Sequence, residues 1–271
     1  MCTVCGCGEG DVTIEGGHEH SHEHSHEHSH EHSHEHNHHH HYGLGPARAH
    51  APGLDQARMV QIEKDILGKN DQYARSNRAR FAEQGIFTLN LVSSPGSGKT
   101  TLLTRTLTDL KGKFPLAVIE GDQETSQDAE RIRATGVNAI QVNTGKGCHL
   151  DGHMVGHALE TLQPQPGSVL FIENVGNLVC PAAFDLGEAH KVAILSITEG
   201  EDKPIKYPDM FAAADVMLLN KIDLPPQQRL LERAAELSEQ YDFERVFMVS
   251  AESGNGVSDL KTWLAAQMPK S

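Results

Sequence analysis

A short turn between an apolar run and a helical stretch constrains the fold more than any other feature of the sequence. The apolar run ends at Val92, the turn reads Ser93-Ser-Pro-Gly-Ser-Gly-Lys-Thr100, and helical spacing begins at Thr100. Backbone N–H groups at such a helix N-terminus can surround phosphate oxygens, and the helix dipole adds favourable potential. Ser93 stands where the G-x-x-x-x-G-K-[ST] pattern has its first glycine. The turn predicts a P-loop.

Short apolar runs alternate with helical stretches along the rest of the chain. This alternation predicts an α/β fold of the P-loop NTPase type, with a mostly parallel sheet flanked by helices. The predicted strands are Ile86–Val92, Leu116–Glu120, Ala139–Val142, Val169–Glu173, Val192–Ser196, Val216–Leu219 and Arg245–Val249. The predicted helices are Thr100–Leu110, Ser126–Ala134, Met154–Leu162, Gln227–Glu239 and Ser258–Met268.

The N-terminal part of the chain has almost no apolar content and cannot contribute to a core. We divide it into a Cys motif at residues 1–7 and a His-rich arm at residues 8–52, where a four-residue repeat begins with His18-Glu-His-Ser21. The arm is expected to be disordered without a ligand. A cloning tag or a solvated spacer would also fit its composition, but imidazoles suit nickel, zinc and copper, which favours a metal buffer. Residues 53–271 form the predicted nucleotide-binding domain, with a helical lead-in over 54–84 that Gly68 is expected to interrupt.

Charge and cysteine content exclude several classes of protein. The formal net charge is −14, and no basic stripe is present, so nucleic acid is not an expected partner. The five cysteines make an odd count, and the N-terminus has neither a basic region nor an apolar run. These features predict thiolate ligands in a reducing, cytoplasmic setting rather than a disulfide framework. No segment is apolar enough to span a membrane.

The residues around the P-loop predict hydrolysis of a bound nucleotide. We expect Lys99 to contact the β- and γ-phosphates and Thr100 to bind Mg²⁺. Glu173 follows a predicted strand and can hold Mg²⁺, while the backbone N–H of Gly176 can meet the γ-phosphate. Asp122 is a second candidate Mg²⁺ ligand or water-orienting group, although it could instead cap the helix expected near Thr125. The predicted catalytic residues are Lys99, Asp122 and Glu173.

Two further motifs follow predicted strands and indicate guanine as the base. The Asp223 carboxylate of Asn220-Lys-Ile-Asp223 can accept hydrogen bonds from guanine N1–H and N2–H₂, which adenine does not offer. The backbone of Ser250-Ala-Glu252 suits guanine O6. The predicted nucleotide-binding residues are Gly96, Ser97, Gly98, Lys99, Thr100, Thr101, Gly176, Asn220, Lys221, Asp223, Ser250 and Ala251, which makes GTP the expected substrate.

Two groups of residues can bind transition metals. Cys148, His149 and Cys180 offer two thiolates and one imidazole, which leaves a metal short of ligands unless a symmetric dimer completes the site. A lone Cys is often only a small apolar core residue, but Cys180 lies inside the expected γ-phosphate-sensing segment. Cys2, Cys5 and Cys7 form a compact cluster that can hold Ni²⁺ in square-planar geometry. The remaining histidines outside the arm are expected to be surface or structural residues, namely His153, His157 and His190.

Taken together, these motifs resemble the hydrogenase maturation nickel-incorporation GTPases of the HypB family. The resemblance is carried by Cys2-x-x-Cys5-Gly-Cys7, the His-rich arm, Ser93 to Thr101, Gly147-Cys-His149, Glu173 to Pro181 and Asn220-Lys-Ile-Asp223. It implies a G domain of the signal-recognition and nitrogenase-iron-protein (SIMIBI) class and GTP-dependent homodimerisation. It also implies a nickel or zinc site at the dimer interface and a tight N-terminal nickel site. The implied partners are a HypA-type nickel chaperone and the precursor of the [NiFe]-hydrogenase large subunit.

Two other functions remain open from the sequence. A urease accessory GTPase shares the same domain plan, although the N-terminal cysteines and Gly147-Cys-His149 fit the hydrogenase family better. A nickel storage or detoxification protein would use the arm for its main role and the GTPase activity only for regulation. We expect nickel delivery to be the main function and storage by the arm to be an added one.

Overall fold

The computed structural model describes residues 56–122, 127–145, 147–200, 202–224 and 227–268. Seven strands form one sheet in the order β3-β2-β4-β1-β5-β6-β7, and every pairing is parallel. The strands are β1 (Phe87–Ser93), β2 (Leu116–Asp122), β3 (Asn138–Asn143), β4 (Val169–Glu173), β5 (His190–Ser196), β6 (Val216–Asn220) and β7 (Arg245–Met248). The helices are α1 (Gln56–Gln84), α2 (Lys99–Leu110), α3 (Gln127–Arg133), α4 (Gly152–Leu162), α5 (Lys203–Lys206), α6 (Pro208–Ala213), α7 (Gln227–Gln240) and α8 (Val257–Gln267). The predicted α/β class with a parallel sheet is confirmed.

The central strands are apolar on both faces because helices cover both sides of the sheet. All five residues of β4 and all five of β6 are buried. Within β4, Phe171 packs into the core cluster that includes residues of α2 and α8, whereas Leu170 and Ile172 pack into the cluster that includes residues of α4. This alternation places the core on both faces and leaves the strand ends free to carry polar groups.

Helix α1 runs through Gly68 without a break, so the predicted interruption at that residue is wrong. A glycine ends a helix when the backbone turns to positive φ, and Gly68 is not among the positive-φ residues. In a helix interior it costs only about 1 kcal/mol relative to Ala. Buried contacts downstream offset that cost, since Asn70 Oδ1 accepts from Gly152 N at 2.8 Å and Asn77 Nδ2 donates to the Gly152 carbonyl at 2.8 Å.

The other differences from the predicted elements are small. Strand and helix limits agree to within two residues, and β4 begins and ends where predicted. Helices α5 and α6, both short and both with Pro in the first turn, were not predicted. No helix in the described part of the chain is long and apolar enough to cross a membrane. The Cys motif and the arm at 1–7 and 8–52 lie outside the described residues, so that division stays a prediction.

Candidate functional site

The P-loop lies between β1 and α2, at the carboxyl end of the central strand. Gly96 and Gly98 have φ of +79° and +87°, a backbone region that favours glycine. A Cβ on Gly98 would lie 2.6 Å from Asn220 Nδ2, so the close approach of the β6 end also requires glycine there. Ser97 is buried beside them, and Thr100 and Thr101 stand in the first turn of α2. The loop therefore has a tight, glycine-dependent turn between β1 and α2, as a P-loop requires.

Lys99 reaches from the start of α2 to the carboxyl end of β4. Its ammonium group contacts the Asn174 carbonyl oxygen and lies 3.4 Å from Glu173 Oε1. Its side chain is only 10% exposed, so these contacts are shielded from water. A lysine in this place presents its charge at the mouth of the P-loop.

Oxygen donors gather beside Lys99 where Mg²⁺ is expected. The Thr100 hydroxyl lies 2.6 Å from Glu173 Oε1 and 3.0 Å from Asp128 Oδ2. Glu173 Oε2 is buried and has no hydrogen-bond partner among the described residues. Asp122 lies half-buried at the end of β2, the strand next to β4. Carboxylate and hydroxyl oxygens are the ligands that Mg²⁺ takes in nucleotide sites, so this donor set fits the ion.

Asp128 lies beside the Thr100 hydroxyl and was not among the residues predicted from the sequence. It lies in the first turn of α3, where acidic residues are common because they favour the helix dipole. Arg131 holds it at 3.2 Å and also contacts the Thr101 hydroxyl at 3.2 Å. The alternative role of Asp122 as a cap near Thr125 stays a prediction, because residues 123–126 lie outside the description and α3 begins at Gln127.

Glu120, which was also not predicted from the sequence, lies close enough to Glu173 and Asp122 for their charges to shift the pKa of its carboxyl group. Burial raises the pKa of the Glu120 carboxyl from 4.5 to about 8, and the charges of Glu173 and Asp122 add to the rise. The folded chain therefore keeps a proton that the unfolded chain releases near pH 4.5. Ionising the buried group costs stability, so stability should fall as the pH rises from about 4.5 through about 8.

Replacing Glu120 by Gln should remove this pH-dependent cost. We expect the variant to gain roughly 2–4 kcal/mol in free energy of unfolding over the native chain at about pH 9, and little at about pH 4.5. Urea denaturation of both proteins in the presence of a chelator, at the two pH values, measures the difference. A gain of equal size at both pH values would show that ionisation of Glu120 is not its cause.

Two of the predicted base-recognition residues, Asn220 and Lys221, contact the P-loop directly. Asn220 Nδ2 donates to the Ser97 carbonyl at 2.9 Å, and Asn220 Oδ1 accepts from Ala251 N at 3.3 Å. Lys221, at φ +63°, donates from Nζ to the Gly96 carbonyl at 2.7 Å. Asn220 thus ties the P-loop to the loop after β7. In the same region, Asp223 is exposed and Ser250 is buried.

Gly176 joins the P-loop to the segment that follows β4. A Cβ on Gly176 would lie 3.2 Å from Pro95 Cγ and 3.3 Å from Pro95 N, so this segment packs directly on the P-loop. Four residues later, Cys180 begins a short 3₁₀ turn, Cys180–Ala182. The same stretch of chain therefore borders both the P-loop and the group formed by Cys148, His149 and Cys180.

The predicted metal ligands Cys148, His149 and Cys180 come together. The ligand atoms of all three lie within 4.8 Å of one another, and no disulfide joins the sulfurs, which are 2.9 Å apart. His149 is 9% exposed, and its ring packs against Phe184 with 4.0 Å between centroids. The hydrogen bond from Cys148 lowers the pKa of the Cys180 thiol to about 4, and contacts with His149 act in the same direction. A thiolate and an imidazole in this arrangement suit Ni²⁺ or Zn²⁺.

The structure does not describe the other predicted transition-metal ligands. Cys2, Cys5 and Cys7 lie outside the described residues, as does the His-rich arm. His153 and His157 lie on α4 with 3.1 Å between their Nε2 atoms, outside the three-residue group. His190 lies 3.5 Å from Glu244 and packs on Phe87 and Trp263.

Comparison with known proteins shows the family to which the chain is similar. The family model for the CobW/HypB/UreG nucleotide-binding domain matches residues 87–248. The hydrogenase maturation factor HypB of Azotobacter vinelandii is 62% identical over 284 residues, covering 98% of this chain and 92% of that protein. The factor of the same name from Escherichia coli K12 is 51% identical over 291 residues, covering 98% of this chain and 99% of the relative.

Solved structures show the same fold. HypB from Archaeoglobus fulgidus superposes with a TM-score of 0.68 at 33% identity, over 73% of this chain and 98% of that chain. HypB from Helicobacter pylori, solved in complex with nickel, gives a TM-score of 0.64 at 37% identity, over 73% of this chain and 94% of that chain. With the family model and the sequence relatives, these matches confirm the resemblance seen in the motifs. The chain belongs to the CobW/HypB/UreG family of nucleotide-binding proteins and, within it, to the hydrogenase maturation factors HypB.

Proposed function

We propose that this chain is a GTP-hydrolysing nickel metallochaperone that drives insertion of Ni²⁺ into the large subunit of [NiFe]-hydrogenase. The observation that carries the proposal is the segment from Glu173 to Cys180. It begins with a carboxylate at the Thr100 hydroxyl, packs Gly176 against Pro95 of the P-loop, and ends in a thiol of the metal group. Nucleotide hydrolysis and metal binding therefore share one short stretch of backbone.

The catalytic roles follow from the P-loop geometry. Lys99 and the backbone amides at the start of α2 face the place of the β- and γ-phosphates, where they stabilise the charge that develops during hydrolysis. Thr100 and Glu173 would hold Mg²⁺, with Asp122 as a further ligand or as the group that orients the attacking water. When bound, Mg²⁺ neutralises charge on the phosphate oxygens. Asp223 selects guanine, supported by Lys221 and by the Ser250–Ala251 backbone.

The metal group supplies three donors, one fewer than a four-coordinate ion needs. We propose that a GTP-dependent homodimer brings two such groups together and completes the coordination of Ni²⁺ or Zn²⁺. Movement of Cys180 between nucleotide states would then change the affinity for the ion. The residues 1–7 motif would bind Ni²⁺ tightly and the His-rich arm would store it. The proposed partners are a HypA-type chaperone and the hydrogenase large-subunit precursor.

The relatives favour hydrogenase as the target over urease. The relatives from Azotobacter vinelandii and Escherichia coli carry the name hydrogenase maturation factor, while the Helicobacter pylori relative, 39% identical over 79% of this chain, is named hydrogenase/urease maturation factor. The solved Helicobacter pylori structure contains nickel, which supports nickel as the cargo of this chain too.

A nickel titration in two nucleotide states tests the proposal. The five cysteines are Cys2, Cys5, Cys7, Cys148 and Cys180, so replacing the first three by Ser leaves only the thiols of the metal group. Thiolate-to-Ni²⁺ charge-transfer absorption in this parent protein then reports that group alone, with the His-rich arm still present. We expect the Ni²⁺ affinity to differ about tenfold or more between Mg²⁺-GDP and a non-hydrolysable GTP analogue.

Cys180→Ser in the same parent leaves Cys148 as its one thiol, so it should weaken the charge-transfer band of the nickel-bound form and abolish the nucleotide dependence. Ser258→Ala, at an exposed position of α8, is the matched control and should retain both. Identical affinities in the two nucleotide states of the parent would contradict gated delivery and favour the storage function.

A further inference from the structure

A buried lysine holds the backbone that follows Cys180. Lys191 is 7% exposed, and its ammonium donates to the carbonyl oxygens of Pro181, Ala182 and Phe184 at 3.0, 3.1 and 3.1 Å. These carbonyls belong to the turn that carries Cys180 and to the residue whose ring packs on His149. Three hydrogen bonds from one charged group fix the turn strongly, because such bonds are about twice as strong as neutral ones. Lys191 therefore fixes the backbone of the turn that carries Cys180.

Lys191 is the last member of a chain of buried polar side chains. Glu188 Oε1 lies 3.9 Å from Lys191 Nζ and accepts a hydrogen bond from Asn90 Nδ2 at 3.0 Å. The second carboxylate oxygen accepts from Leu186 N at 2.6 Å. Asn90 lies in the middle of β1 and is fully buried. This series of buried polar side chains thus passes through the central strand of the sheet.

On the other side of Asn90 the same chain reaches the nucleotide site. Asn174 Nδ2 donates to Asn90 Oδ1 at 3.2 Å, and Asn174 Oδ1 accepts from Leu150 N at 3.0 Å. Leu150 follows His149 directly, so this bond fixes the other half of the metal group. The carbonyl oxygen of Asn174 is the group that Lys99 contacts. One asparagine therefore touches the phosphate-binding lysine, the segment after His149, and Asn90.

These buried groups cost stability unless every member is paired. Asn90 lies between Leu89 and Leu91 in a strand whose other buried residues are mostly apolar, the polar ones being Thr88 and Ser93. An aliphatic residue would therefore pack at the Asn90 position at lower cost. This central position instead carries an amide that hydrogen-bonds to both Glu188 and Asn174. The pairing of β1 with its neighbouring strands runs through the backbone and does not need the Asn90 side chain.

We propose that the buried chain Asn174–Asn90–Glu188–Lys191 positions Cys148, His149 and Cys180 and makes their geometry depend on Lys99, with Asn90 as the central positioning residue. The inference rests on the proposed function. When Lys99 leaves the Asn174 carbonyl for a phosphate, Asn174 loses a charged partner, and its amide holds both Leu150 and Asn90. The change at one residue is thereby passed to both segments that carry metal ligands.

Asn90→Leu in the three-serine parent tests the proposal, with the full chain and Ni²⁺ as the probe. The dissociation constant at the thiolate group should rise about tenfold or more, the usual effect of losing a group that orients metal ligands. The ratio of affinities between GDP and the GTP analogue should fall towards one. A merely destabilised fold would lower the melting temperature without changing this ratio.

Thr88→Val is the matched control. Thr88 lies two residues earlier on the same face of β1, is 1% exposed, and its hydroxyl has no partner among the described residues. This variant should retain the Ni²⁺ affinities of the parent in both nucleotide states. Parental affinities and an unchanged ratio in Asn90→Leu would overturn the proposal.

Lys191→Met is the second variant, used where Asn90→Leu does not fold. It removes the Lys191 hydrogen bonds at the Cys180 end of the buried side-chain series and should also weaken Ni²⁺ binding about tenfold. Unchanged binding in Lys191→Met would equally overturn the inference. Failure of the proposed function is a separate result, because it would be seen in the parent as equal affinities with both nucleotides. The effect of Asn90→Leu on the absolute affinity would still decide whether the buried chain positions the metal group.

Discussion

Replacing Lys99 by Ala should reduce the kcat/KM for GTP by about a thousandfold or more, because a preorganised charge at the transferring phosphoryl group is lost. The structure adds a reason for a large effect. The Lys99 side chain is 10% exposed, and its ammonium lies beside Glu173 Oε1 and the Asn174 carbonyl, where water screens its charge weakly. Removing it also leaves Glu173, which is 2% exposed, without its nearest cation. Steady-state phosphate release with Mg²⁺-GTP measures the change.

Lys113→Ala is the control for this variant. Lys113 follows α2, is exposed, and lies away from the carboxyl ends of the strands, so its loss should leave turnover within about threefold of the native value. Turnover by Lys99→Ala within the same range would contradict the assignment of the P-loop as the hydrolytic site.

The sheet could be predicted because its strands are buried on both faces and appear as continuous apolar runs. Val169–Glu173 illustrates this, since all five residues are buried and the strand limits were predicted without error. Helix α1 could not be predicted in full, because the tolerance of Gly68 depends on packing further along the helix. Helices α5 and α6 have four and six residues, too few for a helical period to emerge from the sequence.

The P-loop from Gly96 to Thr101 could be located from the sequence because its residues are contiguous. The metal group could be predicted because Cys and His are scarce in the folded domain. Residues that act through the tertiary structure could not be found in the same way. Asp128 has the sequence pattern of an ordinary acid in a first turn, and Asn90 is a single polar residue in an apolar run. Their roles depend on Thr100 and Asn174, which are 28 and 84 residues away in sequence.

Asp223→Asn should change the preferred base from guanine to xanthine. In the proposed site the carboxylate of Asp223 would accept hydrogen bonds from guanine N1–H and N2–H₂, whereas an asparagine amide would accept one bond and donate the other. Xanthine has a carbonyl oxygen at C2 and therefore matches the amide. Sites that pair polar groups of a substrate reject unmatched analogues by up to about 10⁴–10⁵-fold, so we expect kcat/KM for GTP to fall about a thousandfold or more. The value for XTP should rise above that for GTP.

The ratio of the two kcat/KM values is the measurement that decides the role of Asp223, because a loss of folded protein affects both nucleotides equally and cancels. Asp71→Asn, on the exposed side of α1, should leave the native ratio unchanged. The pairing of Asn220 with Ser97 and Ala251 fixes the start of the loop that carries Asp223, so the substitution should not disturb the P-loop itself. A variant that still prefers GTP over XTP by the native ratio would show that Asp223 does not select the base, and would leave the backbone after β7 as the source of selectivity.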